Sequence, residues 1–288
     1  GNMKGPPLSI IVFLASLFIW SPVQVGSAQH PQIDADVILD PSAGSISWKL
    51  SLHQMGKQFE FSLHSGLTPQ LDSAGSITLV GQSEQHGASG IDPQRPVDQK
   101  IWRGTVPENL ASDLPDLQQV GSGAGRSFSA TPGTIDEQGV YLSGATAWYP
   151  HPEGKLVTFS MSVTLPAGWD AVSQGTRLSK EAAPDGTTVH WECTIPQEEI
   201  FLVAARFHEY TRATPLLEAQ VFLREEDSNL AARYLEATIQ YVDMYTQLLG
   251  PYPYSKFALV ENFWESGYGM PSFTLLGPQV IRLPFIIR

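Results

Sequence analysis

Val157-Thr-Phe-Ser-Met-Ser-Val-Thr-Leu165 alternates without a break: Val157, Phe159, Met161, Val163 and Leu165 on one side, Thr158, Ser160, Ser162 and Thr164 on the other. A period of two places one face against a core and the other in water, as in a half-buried β-strand. The pattern recurs in both directions along the chain. Upstream, Ile46, Trp48, Leu50 and Leu52 alternate with Ser47, Lys49 and Ser51, and Phe59, Phe61 and Leu63 repeat it. Downstream, Val189, Trp191, Cys193 and Ile195 alternate with His190, Glu192 and Thr194. Turn clusters separate the runs, among them Pro41-Ser-Ala-Gly44, Pro166-Ala-Gly168 and Pro184-Asp-Gly186. Short alternating strands punctuated this way predict a mainly β fold, with an all-β sandwich over 29–225.

The period changes near residue 226. From Asp227-Ser228, either of which can cap a helix, to Gly250-Pro251, apolar residues recur at helical spacing. Ala231, Leu235, Thr238, Val242, Tyr245 and Leu249 form one stripe, with Leu230, Tyr234, Tyr241, Met244 and Leu248 beside it, a face broad enough to need cover on more than one side. The three tyrosines Tyr234, Tyr241 and Tyr245 read as core. A second domain is therefore expected over 226–288, with Thr211-Arg-Ala-Thr-Pro215 as an earlier candidate boundary. Gly81 to Gln99 and Ala111 to Gly133, rich in Gly, Gln and Ser, are expected to be irregular.

At the N-terminus, Lys4 precedes the apolar run Leu8 to Trp20, and Gly26-Ser-Ala28 supplies small residues for cleavage. This is the pattern of a secretory leader over 1–28, so the protein is expected to be exported, periplasmic or extracellular, with an uncleaved membrane anchor as the alternative. The run is shorter than the roughly 20 apolar residues of a spanning helix, so no stable span is expected after cleavage. Seventeen Lys and Arg against 29 Asp and Glu give a net charge of −12. That balance, with no basic cluster, argues against a nucleic-acid surface. Cys193 is the only cysteine, which rules out an intrachain disulfide, and it reads as a small buried apolar residue.

Catalytic signals are sparse. His30, His53, His64, His86, His151, His190 and His208 are scattered, and none pairs with another at the i+3 or i+4 spacing of zinc ligands on a helix. No G-x-S-x-G elbow is present. Gly121-Ser-Gly-Ala-Gly125 lacks the Lys-Ser/Thr and the strand-turn-helix setting of a phosphate loop. Trp148-Tyr149 is read as packing rather than as a binding surface. Glu261 and Glu265 flank Asn262-Phe-Trp264 and could pair as acid and base on a sugar, although two glutamates near a loop are more often solvated or ion-paired.

The last segment is the most specific. It runs Pro251-Tyr-Pro-Tyr-Ser-Lys-Phe257, then Glu265-Ser-Gly-Tyr-Gly-Met-Pro-Ser-Phe-Thr-Leu-Leu-Gly277, then Val280-Ile-Arg-Leu-Pro-Phe-Ile-Ile-Arg288. It resembles the gluzincin zinc metallopeptidases, the aminopeptidase N and leukotriene hydrolase superfamily. In bacterial members Tyr-Pro-Tyr-x-Lys-Phe is followed by a Gly-Met-Pro strand, Leu-Leu-Gly, Ile-Arg-Leu-Pro-Phe and then H-E-x-x-H. The resemblance is sharp over Tyr252 to Ile286. It is diffuse over Ala35 to Leu223, where Trp148-Tyr-Pro150 and the strand after it are similar to the family's saddle-like N-terminal sandwich.

The resemblance implies that 226–288 is the α+β opening of a thermolysin-like catalytic domain, ending before the zinc helix. It also implies that a glycine-rich strand lines a peptide cleft, pairs its backbone with the substrate, and carries a glutamate for the free amino group. The matching residues are Gly267, Gly269, Met270, Pro271 and Ser272. Pro271 stands where aminopeptidases have the glutamate, and Glu265 is the carboxylate that could replace it. Zinc is expected for the full-length protein and none for these residues alone. The expected partner is a peptide or protein substrate. An exported binding or scaffold protein that keeps the sandwich is the alternative from another class.

Overall fold

The computed structural model describes residues 30–53, 55–71, 75–86, 96–105, 116–119 and 133–283. The expected leader over 1–28, the Gly121 to Gly125 run and residues 284–288 lie outside them. The chain forms two compact units, one of 30–173 with 177–205 and the other of 174–176 with 206–283.

Strands of the first unit are β1 Gln32–Asp40, β2 Ser45–His53, β3 Gln58–His64, β4 Pro69–Leu71, β5 Ser76–His86, β6 Pro96–Thr105, β7 Asp116–Gln119, β8 Thr134–Asp136, β9 Gly139–Leu142, β10 His151–Pro152, β11 Val157–Leu165, β12 Asp170–Val172, β13 Thr176–Ala183, β14 Gly186–Gln197 and β15 Leu202–Ala205. They make three sheets, ordered β13-β14-β11-β1-β2-β7-β4, β10-β3-β6-β5 and β12-β15-β9-β8. The mainly β, sandwich-type reading holds.

The alternation that predicts the strands also builds the core. β1 pairs parallel with β11 and antiparallel with β2, while β14 runs antiparallel to β11. The registers therefore set Trp191, Met161, Ala35 and Leu50 in one row, and Val189, Val163, Val37 and Trp48 in the next. All eight are buried. The small Ala35 two strands from Trp191 lets large and small side chains interlock across the sheet, as close packing requires. Each fully buried large side chain contributes roughly 1.5–3 kcal/mol. Cys193 lies in the same core and its thiol faces the Ile195 carbonyl at 3.4 Å.

Trp148 and Tyr149 are interior, as expected. Trp148 Nε1–H donates to the Ile200 carbonyl at 3.1 Å, and the Trp148 carbonyl accepts from Trp48 Nε1 at 2.8 Å. The Tyr149 hydroxyl accepts from the Ile200 N–H at 3.0 Å. His190 contacts the Ser160 hydroxyl at 2.7 Å on the outer face of its strand.

One expectation is corrected. Within Gly81 to Gln99, residues 81–86 complete β5 and 96–99 open β6, and Asp116–Gln119 within the second stretch is also a strand. The period of two is invisible in β5 for a physical reason. The register against β6 shifts between Leu79 and Gly81, and a bulge reverses the side-chain phase. As an edge strand β5 also tolerates polar residues on both faces.

The second unit contains β16 His208–Ala213, β17 Glu218–Leu223, α1 Ser228–Leu249, β18 Lys256–Glu261, β19 Gly267–Met270 and β20 Phe273–Leu276. Its sheet order is β16-β17-β18-β20-β19. Both strands before residue 226 thus belong to this sheet, and the change of period falls inside the unit. α1 bridges the parallel pair β17 and β18, and Leu230, Ala231, Tyr234, Leu235 and Val242 pack with Ala219, Val221, Leu223, Phe257 and Leu259.

The helix ends lie where the sequence predicts. The Asp227 carboxylate accepts the Leu230 N–H at 2.9 Å, and Gly250 takes φ 98° while its N–H reaches the Thr246 carbonyl. The apolar stripe is fully buried between Leu230 and Val242, and Tyr241 and Tyr245 pack against the same core while only partly buried. Met244, Leu248 and Leu249 are exposed, Leu248 by 70%. No helix among the described residues is long and apolar enough to cross a membrane.

Candidate functional site: the open edge of the second sheet

β19 and β20 form a hairpin with Pro271 and Ser272 as its two-residue turn, pairing Met270 with Phe273, Gly269 with Thr274, Tyr268 with Leu275 and Gly267 with Leu276. β19 is the last strand of its sheet, so one side of its backbone is unpaired within the sheet. Which groups face that side follows from the register. The Gly277 N–H donates to the Ser266 carbonyl at 2.8 Å, which makes 266/277 a hydrogen-bonded pair. Antiparallel pairs alternate. Tyr268 and Met270 therefore direct their main-chain groups to β20, and Gly267 and Gly269 direct theirs to the open edge.

Both glycines are exposed. Lacking side chains, they let another backbone approach closely. The edge offers the N–H and C=O of two alternate residues, the main-chain pattern by which an extended peptide adds to a sheet.

The other expected site residues do not present their side chains at the open edge. Met270 is buried, and Pro271 is partly buried in the turn. Ser272 is 2% exposed and has φ 69°, rare for a residue with a side chain. Its hydroxyl accepts from Lys256 Nζ at 2.6 Å and from the Gly175 N–H at 3.0 Å. Glu265 is exposed, but one carboxylate oxygen accepts the Gln279 N–H at 2.8 Å and the other lies where a Cβ at Gly277 would collide with it. Glu261 is buried, accepting from Arg282 Nη1 at 2.6 Å and from the Arg224 N–H at 2.9 Å. Each glutamate is thus tied to its own neighbours, and nothing converges on a sugar.

Sequence reasoning missed Lys256 as part of this arrangement. Its only signal in the sequence is its place in the Pro251-Tyr-Pro-Tyr-Ser-Lys-Phe257 run.

In the first unit, polar groups gather around the 3₁₀ turn Gly144–Thr146. Burial pushes the Glu199 carboxyl up to about 7, helped by Glu198 and opposed by a hydrogen bond from the Gly144 N–H. His64 is brought down to about 4 by burial, against the pull of Asp98, and its Nδ1 accepts the Gly66 N–H at 3.0 Å. His151 is lowered by burial, with Nδ1 2.9 Å from the Tyr149 hydroxyl. Each of these groups has a local partner. Among the described residues no three His, Cys, Asp or Glu side chains converge as a metal-binding group.

No protein-family profile matches the sequence, and no curated protein does. Solved structures do. An M1 zinc metallopeptidase variant from Deinococcus radiodurans, bound to a Tyr-Ser-Ala substrate, is 13% identical, with a TM-score of 0.56 over 90% of this chain and 64% of that one. A two-domain M1 zinc metallopeptidase variant bound to L-tryptophan gives 14%, 0.57, 90% and 64% in the same order. The M1 zinc metallopeptidase from Deinococcus radiodurans gives 13%, 0.54, 87% and 61%. The fold is the one these M1 zinc metallopeptidases share. At such identity the likeness is one of fold, and the chain spans under two thirds of the length of each M1 structure.

Proposed function

We propose that this chain is the front part of an exported gluzincin-type zinc metallopeptidase, in which the first unit is the β domain, the second unit, from 206 on, opens the catalytic domain, and further sequence supplies the zinc ligands. The observation that carries the reading is the open edge of β19. Gly267 and Gly269 turn their backbone N–H and C=O outward on an exposed strand, in a fold shared with an M1 protein seen with a tripeptide substrate. On this reading the chain binds and orients an extended peptide by main-chain pairing, and a zinc ion held by residues outside this chain would supply the activation of water.

The test uses the full-length gene product and a set of fluorogenic peptides. Hydrolysis abolished by a chelator and restored by zinc is expected, with Gly269→Pro, which deletes an outward N–H, raising KM more than it lowers kcat. A zinc-loaded, folded protein that neither binds nor cleaves any peptide refutes the reading. Pro271, in place of the aminopeptidase glutamate, fits a second reading, an exported binding protein, as well as it fits a peptidase of altered specificity. Binding at the β19 edge without turnover distinguishes it. Peptide mapping of the secreted product tests cleavage before Gln29.

A further inference from the structure

β19 has little of its own to set its register, because of its four residues only Met270, next to the turn, is fully buried. Register is specified by side chains that must face a core, and it slips easily in glycine-rich strands. Two of the four residues of β19 are glycine, and it has a partner on one side only. A slip by one residue would turn the outward groups of Gly267 and Gly269 inward and present Tyr268 instead. Beyond Met270 and a hydrogen bond from the Thr274 hydroxyl to the Tyr268 carbonyl at 3.0 Å, the register is set at the turn.

The turn is held in an unusual way. Lys256 Nζ donates to both the hydroxyl oxygen of Ser272, at 2.6 Å, and its carbonyl oxygen, at 3.2 Å. One ammonium thus grips a single residue by side chain and main chain together. The Ala258 N–H reaches the same carbonyl at 3.1 Å, and the Gly175 N–H the same hydroxyl. Nζ also lies 5.2 Å from the Phe273 ring centroid, within cation–π range of the first residue after the turn. Lys256 is 2% exposed. Burying a lysine is costly without such compensation, and here it is spent on the one non-glycine residue of the hairpin with positive φ.

We propose that Lys256 is a positioning residue: by gripping Ser272 it fixes the left-handed turn and so decides which backbone groups of β19 face an incoming peptide. The peptide half of this statement rests on the metallopeptidase reading; the register half does not.

The test has two arms on the 288-residue chain. In the first, amide exchange is measured residue by residue. Lys256→Met is expected to speed exchange of the Tyr268 and Met270 amides at least tenfold, with the α1 amides unchanged. Adding Ser272→Gly, which adopts positive φ without a grip, restores their protection. A purely structural lysine would not be rescued by that second change. Unaltered exchange in β19, failure of rescue, or equal loosening of α1 overturns the proposal. If Lys256→Met does not fold, Ser272→Ala removes one of the two gripped oxygens and must show the same local effect in weaker form. In the second arm, an alanine tetrapeptide is titrated against each protein. Tenfold weaker binding by Lys256→Met, recovered in the double variant, supports the whole statement. The expected exchange pattern with no binding even by the unaltered chain supports the register role and overturns the peptide reading beneath it.

Discussion

Replacing Glu199 by Gln should make the first unit more stable, and by an amount that depends on pH. In the fold the Glu199 carboxyl titrates near 7, against an ordinary glutamate value of 4.5, because it is buried beside Glu198. Between those values the unfolded chain has released the proton and the folded one has kept it. The unfolded state therefore binds fewer protons, and stability falls as pH rises. Below about pH 4.5 both states are protonated and the penalty vanishes; above about 7 it is complete. Each pH unit in the window is worth about 1.4 kcal/mol, so the penalty reaches roughly 3 kcal/mol. Glutamine is never charged and escapes it. Urea titrations followed by the fluorescence of Trp48, Trp148, Trp169 and Trp191, all in the first unit, should show the two proteins equal at pH 4.5. By pH 8 they should differ by about 2–3 kcal/mol. For a unit of this size that is a rise in Tm of roughly 5–10 °C. A difference that stays constant across the range, or grows toward acid, would refute the account of Glu199 as a carboxyl kept neutral by burial.

His64 should behave in the opposite sense. Its folded pKa lies near 4 and below the ordinary 6.5, so the unfolded state takes up a proton first as pH falls through that window. Substitution by Gln should leave stability less sensitive to acid between pH 6.5 and 4, as read from the same titrations. Trp148→Phe, which strands the Ile200 carbonyl that Nε1–H now satisfies, should cost about 1–3 kcal/mol. Equal midpoints for the two proteins would contradict it. Asp227→Ala should lower the stability of the second unit by about 1 kcal/mol through loss of the cap on the Leu230 N–H, visible as faster exchange confined to the first turn of α1.

The features readable from sequence were those with a local cause. Val157 to Leu165 alternates because each residue meets the core or water on its own account, and its burial in the fold follows that order. Asp227 and Gly250 end α1 through contacts within a few residues. Non-local arrangements could not be read. Nothing within β1 announces that its parallel partner is β11, and nothing within β5 shows that a bulge will break its phase. The site divides in the same way. The sequence places Gly267 and Gly269 in one short run and the fold exposes both on an edge strand, but the inward placement of Ser272 depends on Lys256, which reaches it from another strand. The carboxylate expected of Glu265 is taken up by the Gln279 N–H, a contact that only the fold reveals.

The placement of β1 bears on how the protein is made. It is translated well before β11, yet it occupies the interior of its sheet, with β2 on one flank and β11 on the other. β2 arrives at once; β11 is translated much later. During that interval the β1–β2 hairpin presents an unpaired, apolar-faced border to its surroundings. A nascent chain paused before Val157 is thus the species most exposed to self-association and to chaperone capture, and slow codons there would be felt in yield rather than in the finished fold.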